Sequence, residues 1–524
     1  MCGFMVYHGQ SLSVEAFQKA FASIKHRGPD DTRVIKFENA IMGFHRLAIM
    51  DTSSKGMQPF INADGDKVVC NGEIYNFEHL KSLADYDFES HSDCELLLPL
   101  YKRYGLETLL DLLDGEFAFV LWDQKKKRFV AGRDPLGIRP MFYGYAADAG
   151  ILFASEVKAL QNLCEDISPF PPGHYFDGER FVRYWDPAPT LCVDGLDDVL
   201  VNIREKLTTA VVKRLHADVP VGFLLSGGLD SSLVCAIAQR FSSRPIRTFA
   251  IGMKSDAIDL KYARETADFL GTEHQEVIIS ESDVLANLSR VVEALETWDI
   301  TTIRASMGMY LLCKAIRETT DVKVLFTGEV SDELFGYKYT DFAPSPQAFQ
   351  EEAVKRVSEL YMYDVLRADR CISAHGLEAR VPFSDKDFVS YVMSIHPELK
   401  INRWGIGKYL LRQAFAKGKY LPVSILMREK AAFSDAVGHS LVDSLKSHAA
   451  NLYKTMEGKT LACRFPHATP FSSESLMYRE CFESYYPKKS KLIKDFWMPN
   501  QAWQHCKVND PSARVLPNYG QSGI

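Results

Sequence analysis

The stretch that most restricts the fold lies near the middle of the chain. The apolar run Val221-Gly222-Phe223-Leu224-Leu225 leads directly into Ser226-Gly227-Gly228-Leu229-Asp230-Ser231-Ser232. The run predicts a buried strand, and the glycines and hydroxyls after it predict a tight loop that opens a helix. Such a loop offers backbone N–H groups, serine hydroxyls and a helix N-terminus to phosphate. Ser226, Gly227, Gly228 and Ser231 are therefore candidate phosphate-binding residues. Asp230 is a candidate Mg²⁺ ligand, because that ion is commonly held by one or two carboxylates together with phosphate oxygens. The loop lacks the Gly-Lys-Ser/Thr ending of a Walker loop. Around it strand and helix alternate: helix over 197–215, strand over 221–225, helix over 232–241, strand over 247–251, helix over 260–270 and strand over 276–279. Alternation of this kind predicts an α/β domain with a doubly wound parallel sheet. Helices dominate after about 350.

The first 185 residues have a different rhythm. Short strands are expected at 4–7, 40–49, 67–69, 118–122, 128–132 and 151–154, with helices at 13–24 and 93–104. Arg27-Gly28-Pro29-Asp30, Asp64-Gly65-Asp66 and Pro171-Pro172-Gly173 read as turns. This is a strand-rich α+β pattern, compatible with antiparallel sheets stacked between helices. The segment Trp185-Asp186-Pro187-Ala188-Pro189-Thr190 breaks both periods and reads as a linker. It divides the chain into a domain over 1–190 and another over 191–524, with a polar, aperiodic and loose tail from about 505.

The net charge of −7 argues against nucleic acid or an acidic membrane surface as the main partner. The basic cluster Lys125-Lys126-Lys127-Arg128 reads as a solvated turn. No apolar run is long enough to span a bilayer, and no secretory signal pattern opens the chain. Eleven scattered cysteines without a CxxC pair suit a reducing compartment and exclude a zinc-ligand spacing. A cytoplasmic location is expected.

The opening Met1-Cys2-Gly3 adds chemistry. Loss of Met1 would place a thiol and an α-amine on Cys2. An α-amine titrates at roughly 7.7–8.0 and can act as general base for its own side chain. The strings that follow are His26-Arg27-Gly28-Pro29-Asp30, His45-Arg46-Leu47, Cys70-Asn71-Gly72-Glu73-Ile74-Tyr75-Asn76, Ser92-Asp93-Cys94-Glu95 and Gly132-Arg133-Asp134. With these, the first domain resembles the glutamine amidotransferase domains that use an N-terminal cysteine, a branch of the N-terminal-nucleophile hydrolases. The resemblance implies that Cys2 attacks the side-chain amide of glutamine, with the Asn71 side chain and the Gly72 N–H as oxyanion hole. It implies Arg46 for the glutamine α-carboxylate, for which a planar guanidinium suits. Glu73 and Asp93 would hold the α-ammonium, and Leu47 and Ile49 would complete the pocket.

The second domain resembles ATP pyrophosphatases at the 226–232 loop. A second strand and loop, Val324-Leu325-Phe326-Thr327-Gly328-Glu329, is followed by Val330-Ser331-Asp332-Glu333 and supplies Asp332 as a second candidate Mg²⁺ ligand. Further strings are Thr297 to Ser306, Tyr363 to Asp369, Gly376 to Phe383, Lys430 before Phe433-Ser434-Asp435, and Asn509 to Arg514. With these the whole chain resembles glutamine-dependent asparagine synthetases. That likeness implies that aspartate attacks ATP to give β-aspartyl-AMP, and that ammonia from the first domain crosses an internal tunnel and displaces AMP. It implies Glu329 for adenylate formation and Lys430 for charge stabilisation. Leu225, Ile251, Thr327 and Gly328 are implied as ATP contacts, with Thr301 and Arg304 closing over the phosphates. ATP is the co-substrate and Mg²⁺ the expected ion. The partners expected are glutamine, aspartate and ATP, with no nucleic acid, no membrane, and a homodimer as the candidate assembly.

Three positions depart from the family pattern. Val330 stands where glycine is usual, and a β-branched residue disfavours positive φ. The loop after it is one residue short. Ala431 and Ala436 replace an acidic residue and a glycine. Two alternatives therefore stay open: a related ligase adenylating another acid, or a glutamine-binding regulatory protein with an impaired synthetase half.

Overall fold

The computed structural model describes residues 1–188, 190–429, 437–454 and 464–520. The chain divides into two compact units. The first comprises 1–186 with two short later segments, 216–220 and 373–379; the second comprises the remainder. The break at 186/187 falls within the expected linker. The two later segments belong to the first unit although the sequence rhythm assigned them to the second domain. Hydrogen bonding explains one of them: the Asp218 carboxylate accepts the Asp51 N–H at 2.9 Å, and the Asp218 N–H donates to Ile49 O at 3.3 Å.

The first unit contains two six-stranded sheets. One comprises β1 (Gly3–His8), β2 (Asp31–Phe37), β3 (Ala40–Arg46), β8 (Phe142–Tyr145), β9 (Ile151–Ala154) and β10 (Ile167–Pro169), with Gly3 opposite His45 in antiparallel register. The other comprises β4 (Phe60–Ile61), β5 (Lys67–Ile74), β6 (Gly115–Asp123), β7 (Arg128–Arg133), β11 (His174–Phe176) and β12 (Phe181–Arg183). Period-two alternation sorts their side chains. Val69, Ala118, Val120 and Trp122 meet Phe4, Val6, Met42 and Phe44 in one buried core between the sheets. Val68, Cys70, Phe117, Phe119 and Leu121 face the other way, onto the helix Leu97–Leu112. Phe17 and Phe21 of the helix Val14–Phe21 pack on Gly43 of β3. These are the stacked sheets between helices expected from the strand pattern. Residues 124–127 form the solvated turn joining β6 to β7.

The second unit carries parallel strands β13 (Val221–Leu224), β14 (Arg247–Met253), β15 (Glu273–Ile279) and β16 (Val324–Phe326), hydrogen-bonded in the order β15-β14-β13-β16. The strand order reverses at β13, where β14 lies on one side and β16 on the other. In open α/β sheets the crevice at such a point is where ligands bind. Among the described residues no helix is long and apolar enough to cross a membrane.

The tail expected to be loose is tied down as far as residue 520. Asp510 pairs with Arg304 at 2.8 Å and Lys446 at 2.5 Å, and Arg514 pairs with Asp443 at 3.0 Å. Asn518 donates to Asp341 at 3.0 Å, and Cys506 and Leu516 are buried. Polar side chains hold this segment, so the lack of apolar periodicity did not mean lack of order.

Candidate active sites

In the first unit, pairing of β1 with β3 sets Cys2 beside Leu47, the residue just past β3. The Leu47 N–H donates to Cys2 Sγ at 3.4 Å, and Sγ lies 3.6 Å from Leu47 O. Arg27 Nε donates to Cys2 O at 3.0 Å, while Arg27 Nη1 holds Glu156 at 2.7 Å. This buried arginine anchors the backbone of Cys2. Burial pushes the Cys2 thiol up to about 11, so it stays protonated near neutrality and needs a base. The only α-amine nearby with Met1 in place is that of Met1, which burial lowers to about 6. Removal of Met1 would give Cys2 an amine of its own.

Arg46 ends β3. Its Nη1 donates to Ser53 O at 2.6 Å and its Nη2 to Asp51 O. A Cβ at Gly56 would lie 2.3 Å from Nη2, so only glycine admits the guanidinium there. The Asp51 carboxylate accepts the Ser53 N–H at 3.0 Å and the His91 N–H at 2.8 Å, which ties the Arg46 loop to the segment before Asp93. Asp93 Oδ2 in turn accepts the Ile74 N–H at 2.7 Å. Asp93 is thereby fixed at the end of β5, the strand that carries Asn71, Gly72 and Glu73. The expected strand ended at 69; it runs on to Ile74, so the predicted oxyanion residues are strand residues. Leu47 and Ile49 are buried in the same loop.

Asn71 is fully buried, and among the described residues neither its amide nitrogen nor its amide oxygen has a hydrogen-bond partner. Leaving such a group unpaired costs about 1–3 kcal/mol. Groups of this kind are kept where something else completes them. An unpaired amide donor on a rigid strand is what stabilisation of an oxyanion requires.

In the second unit the cavity lies at the C-terminal ends of β13 and β16. Leu224, Leu225, Phe249, Ala250, Ile251, Met309 and Leu312 give it an apolar wall suited to a purine ring. Ser226, Gly228, Asp230, Ser231, Thr327, Gly328, Glu329, Val330 and Asp332 give it a polar floor. Gly227 has φ +69°, and a Cβ there would lie 2.4 Å from the Ala263 backbone nitrogen. The helix Leu229–Phe241 starts directly after this turn, with Ser226 Oγ and Ser231 Oγ 3.0 Å apart across it. The Thr327 hydroxyl lines the cavity and is buried without a hydrogen-bond partner among the described residues.

Glu329 faces Arg367 at 3.3 Å, and its second carboxylate oxygen has no hydrogen-bond partner among the described residues. Arg367 also pairs with Asp364 at 3.0 Å. Tyr337 OH lies between two carboxyl groups, 2.9 Å from Asp364 Oδ2 and 2.5 Å from Glu333 Oε1. Burial pushes the Glu333 carboxyl well above the usual carboxylate range, and the nearby Asp364 and Asp332 carboxylates push it the same way. The Lys408 ammonium lies 2.6 Å from Asp230 Oδ2 and 2.7 Å from Asp332 Oδ1. Val330 occupies the left-handed region at φ +80° and is buried. The positive φ in question is therefore present, and valine adopts it.

Two expected residues are elsewhere. Arg304 is held by Glu474 at 2.5 Å and Asp510 at 2.8 Å and does not line the cavity. It precedes Met309 on the helix Ile300–Thr319 by about 140° of rotation, which turns it to another face. The Thr301 hydroxyl donates to Trp497 O at 3.4 Å, also outside the cavity lining. Lys430, Ala431 and Ala436 lie outside the described residues. Conversely, Lys408 and Arg412 reach the cavity without any local motif to mark them. Burial lowers the Arg412 guanidinium to about 10, and it donates to the backbone carbonyls of Gly407 and Arg428 at 2.7 and 2.9 Å. Asp364 and Arg367 lie in the string Tyr363 to Asp369, whose composition alone says nothing of their orientation.

Comparison with known proteins agrees with this division. Residues 1–178 match the glutamine amidotransferase domain family, and residues 202–347 and 339–510 match the asparagine synthase family. A glutamine-hydrolysing asparagine synthetase of Arabidopsis thaliana is 41% identical over 100% of this chain and 94% of its own length. Those of Cricetulus griseus and Gallus gallus are each 40% identical over 99% of both chains. With both halves matched in order and full-length relatives at this identity, the chain belongs to the glutamine-hydrolysing asparagine synthetase family.

Proposed function

We propose that the chain is an active glutamine-hydrolysing asparagine synthetase acting in the cytoplasm. It converts ATP, L-aspartate, L-glutamine and water to AMP, diphosphate, L-asparagine and L-glutamate. The observation that carries this reading is the cavity of the second unit, where an apolar wall meets two carboxylates converging on one cation and a glutamate–arginine pair. The ten described cysteines are all free, which supports the compartment.

In the first unit Cys2 Sγ gives its proton to the Cys2 amine freed by loss of Met1 and attacks the glutamine side-chain carbonyl. The C–N bond breaks and ammonia leaves with the proton, and water then hydrolyses the thioester to glutamate. Asn71 Nδ2 and the Gly72 N–H donate to the oxyanion, Arg46 binds the α-carboxylate, and Glu73 with Asp93 binds the α-ammonium.

In the second unit a side-chain carboxylate oxygen of aspartate attacks the α-phosphorus of ATP and diphosphate leaves. Ammonia then attacks the acyl carbon and AMP leaves. The 226–231 loop and Gly328 hold the phosphates, and Leu225 and Ile251 border the purine. Arg367 offers its guanidinium to a substrate carboxylate, and Asp364 and Glu333 offer oxygens to the substrate ammonium. Glu329 is placed to orient the reacting groups during adenylation. Lys430 keeps the charge-stabilising role implied by the resemblance.

The donor set also fits Mg²⁺. Asp230 and Asp332 already meet at one point around a positive charge, with room for phosphate oxygens beside them. The ion would neutralise diphosphate oxygens as charge develops on them.

The test is a product assay with ATP, Mg²⁺, aspartate and ammonium chloride, which bypasses Cys2. Asparagine formed with equal AMP and diphosphate is the expected outcome. No asparagine and no AMP in that assay, with glutamine hydrolysed to glutamate in a parallel one, would instead favour a glutamine-binding protein whose synthetase half is impaired at Val330.

A further inference from the structure

Lys408 is an unusual neighbour for two candidate metal ligands. Its side chain is buried, and its ammonium sits 2.6 Å from Asp230 Oδ2, 2.7 Å from Asp332 Oδ1 and 3.0 Å from Ser331 Oγ. Ser331 Oγ also donates to the other oxygen of Asp230 at 2.7 Å. The lysine therefore occupies the point on which both carboxylates converge. Two cations cannot share that point, since their repulsion at such separations matches the attraction that holds either one.

The backbone around Lys408 is unusual in conformation and open on one side. Lys408 itself has φ +58°, a region that a non-glycine residue adopts reluctantly. Gly405 and Gly407 precede it, and no heavy atom lies within 4 Å of where a side chain would begin on either. Trp404, before them, is half exposed. Trp404 stacks on Tyr409 at 4.5 Å and Gly407 O accepts from Arg412 Nε at 2.7 Å, so the segment is pinned at these two points, and the long lysine side chain is what can withdraw by changing rotamer.

We propose that Lys408 is a stand-in cation that neutralises Asp230 and Asp332 in the absence of nucleotide and withdraws when a divalent ion enters with ATP. This rests on the reading that the two aspartates are the metal ligands. Its consequence is coupling: without ATP the acidic pair is already neutralised and binds divalent ions poorly, and with ATP the phosphates supply what displaces the lysine. Lys408 is a positioning residue here, acting through the two carboxylates.

The test is Mn²⁺ titration of the full chain, read as loss of the free-ion electron paramagnetic resonance signal, with and without ATP and without aspartate. Without ATP, Lys408→Met binds Mn²⁺ at least about tenfold more tightly than the unaltered chain, because one competing charge is gone. Lys408→Arg, which keeps a cation, stays weak. Lys408→Met combined with Asp332→Asn loses the gain, which places the ion on the aspartate pair. Thermal unfolding by circular dichroism accompanies each variant, and Lys408→Gln replaces the methionine variant if that one fails to fold. Equal Mn²⁺ affinity in the unaltered chain and in Lys408→Met without ATP, with ATP-dependent binding intact, overturns the role of Lys408 alone. If Asp230→Asn and Asp332→Asn leave Mn²⁺ uptake with ATP unchanged, the metal reading fails and the stand-in fails with it.

Discussion

The two candidate sites are held in opposite ways. In the first unit the functional side chains are fixed by the backbone: Arg46 donates to the carbonyls of Ser53 and Asp51, and Asp93 accepts the N–H of Ile74. Asn71 is left with an unpaired amide. In the second unit the charged side chains are fixed by each other: Lys408 with Asp230 and Asp332, Arg367 with Glu329 and Asp364. The first arrangement is preorganised, since a small amide can enter and complete the hydrogen bonds without breaking any. The second must exchange internal ion pairs for contacts to a polyanion. A rigid scaffold thus suits a modest amide hydrolysis, and a cluster that reorganises on binding suits a reaction that brings several charges together.

The largest expected effect separates the two sites. Cys2→Ala lowers glutamine-dependent asparagine formation by about 10⁴-fold or more, the scale on which nucleophiles are lost, while ammonium-dependent formation is unchanged. Loss of both activities in this variant would show that the sites are not separable. Glu329→Ala is the mirror experiment. It lowers ATP-dependent aspartate adenylation by about 10³-fold, read by diphosphate release, and leaves glutamine hydrolysis intact. Normal asparagine yield would remove Glu329 from the reaction.

Asn71→Ala probes the preorganised character of the first site. Glutamine kcat falls by about 10²–10³-fold, the usual cost of one oxyanion donor. KM changes little, because Asn71 has no hydrogen-bond partner among the described residues of the free protein. A rise in KM with kcat preserved would mean that Asn71 binds substrate and does not serve the transition state.

The same contrast explains what could be read from the sequence. The first site is made of residues close to strand ends, so short strings such as Cys70 to Asn76 and Ser92 to Glu95 mark both the elements and the chemistry. Even there, the extension of β5 through Asn71 to Ile74 was hidden, since polar residues inside a strand look like a loop. In the second unit the central strand and its Gly-rich turn stood out, and the parallel sheet followed from alternation. Lys408, which reaches Asp230 across 178 residues of sequence, did not. Arg304 was misplaced for a related reason: its true partners, Glu474 and Asp510, are 170 and 206 residues away. Long-range ion pairs leave no periodic trace in a sequence. The tail after 505 carries the same lesson, held by charges and not by an apolar stripe.

The smallest expected effect concerns Val330, where the cluster of the second site is held at a cost in backbone strain. A non-glycine residue in the left-handed region is disfavoured by roughly 1–2 kcal/mol, and Val330 is buried at φ +80°. Val330→Gly removes that strain and also removes a buried side chain, which is worth about 1.5–3 kcal/mol. The two terms oppose each other, so the net loss in urea unfolding is smaller, by about the 1–2 kcal/mol of relieved strain, than at a buried valine without positive φ. Val324→Gly is the control, because Val324 is equally buried, lies in β16, and has no positive φ to relieve. It loses its side chain and gains backbone freedom when unfolded, and is destabilised by about 2 kcal/mol or more. Equal losses at the two positions would mean that the turn at Val330 stores no strain. Any effect of Val330→Gly on the ammonium-dependent rate would then have to come from loss of the valine side chain itself, which lines the cavity beside Glu329 and Asp332.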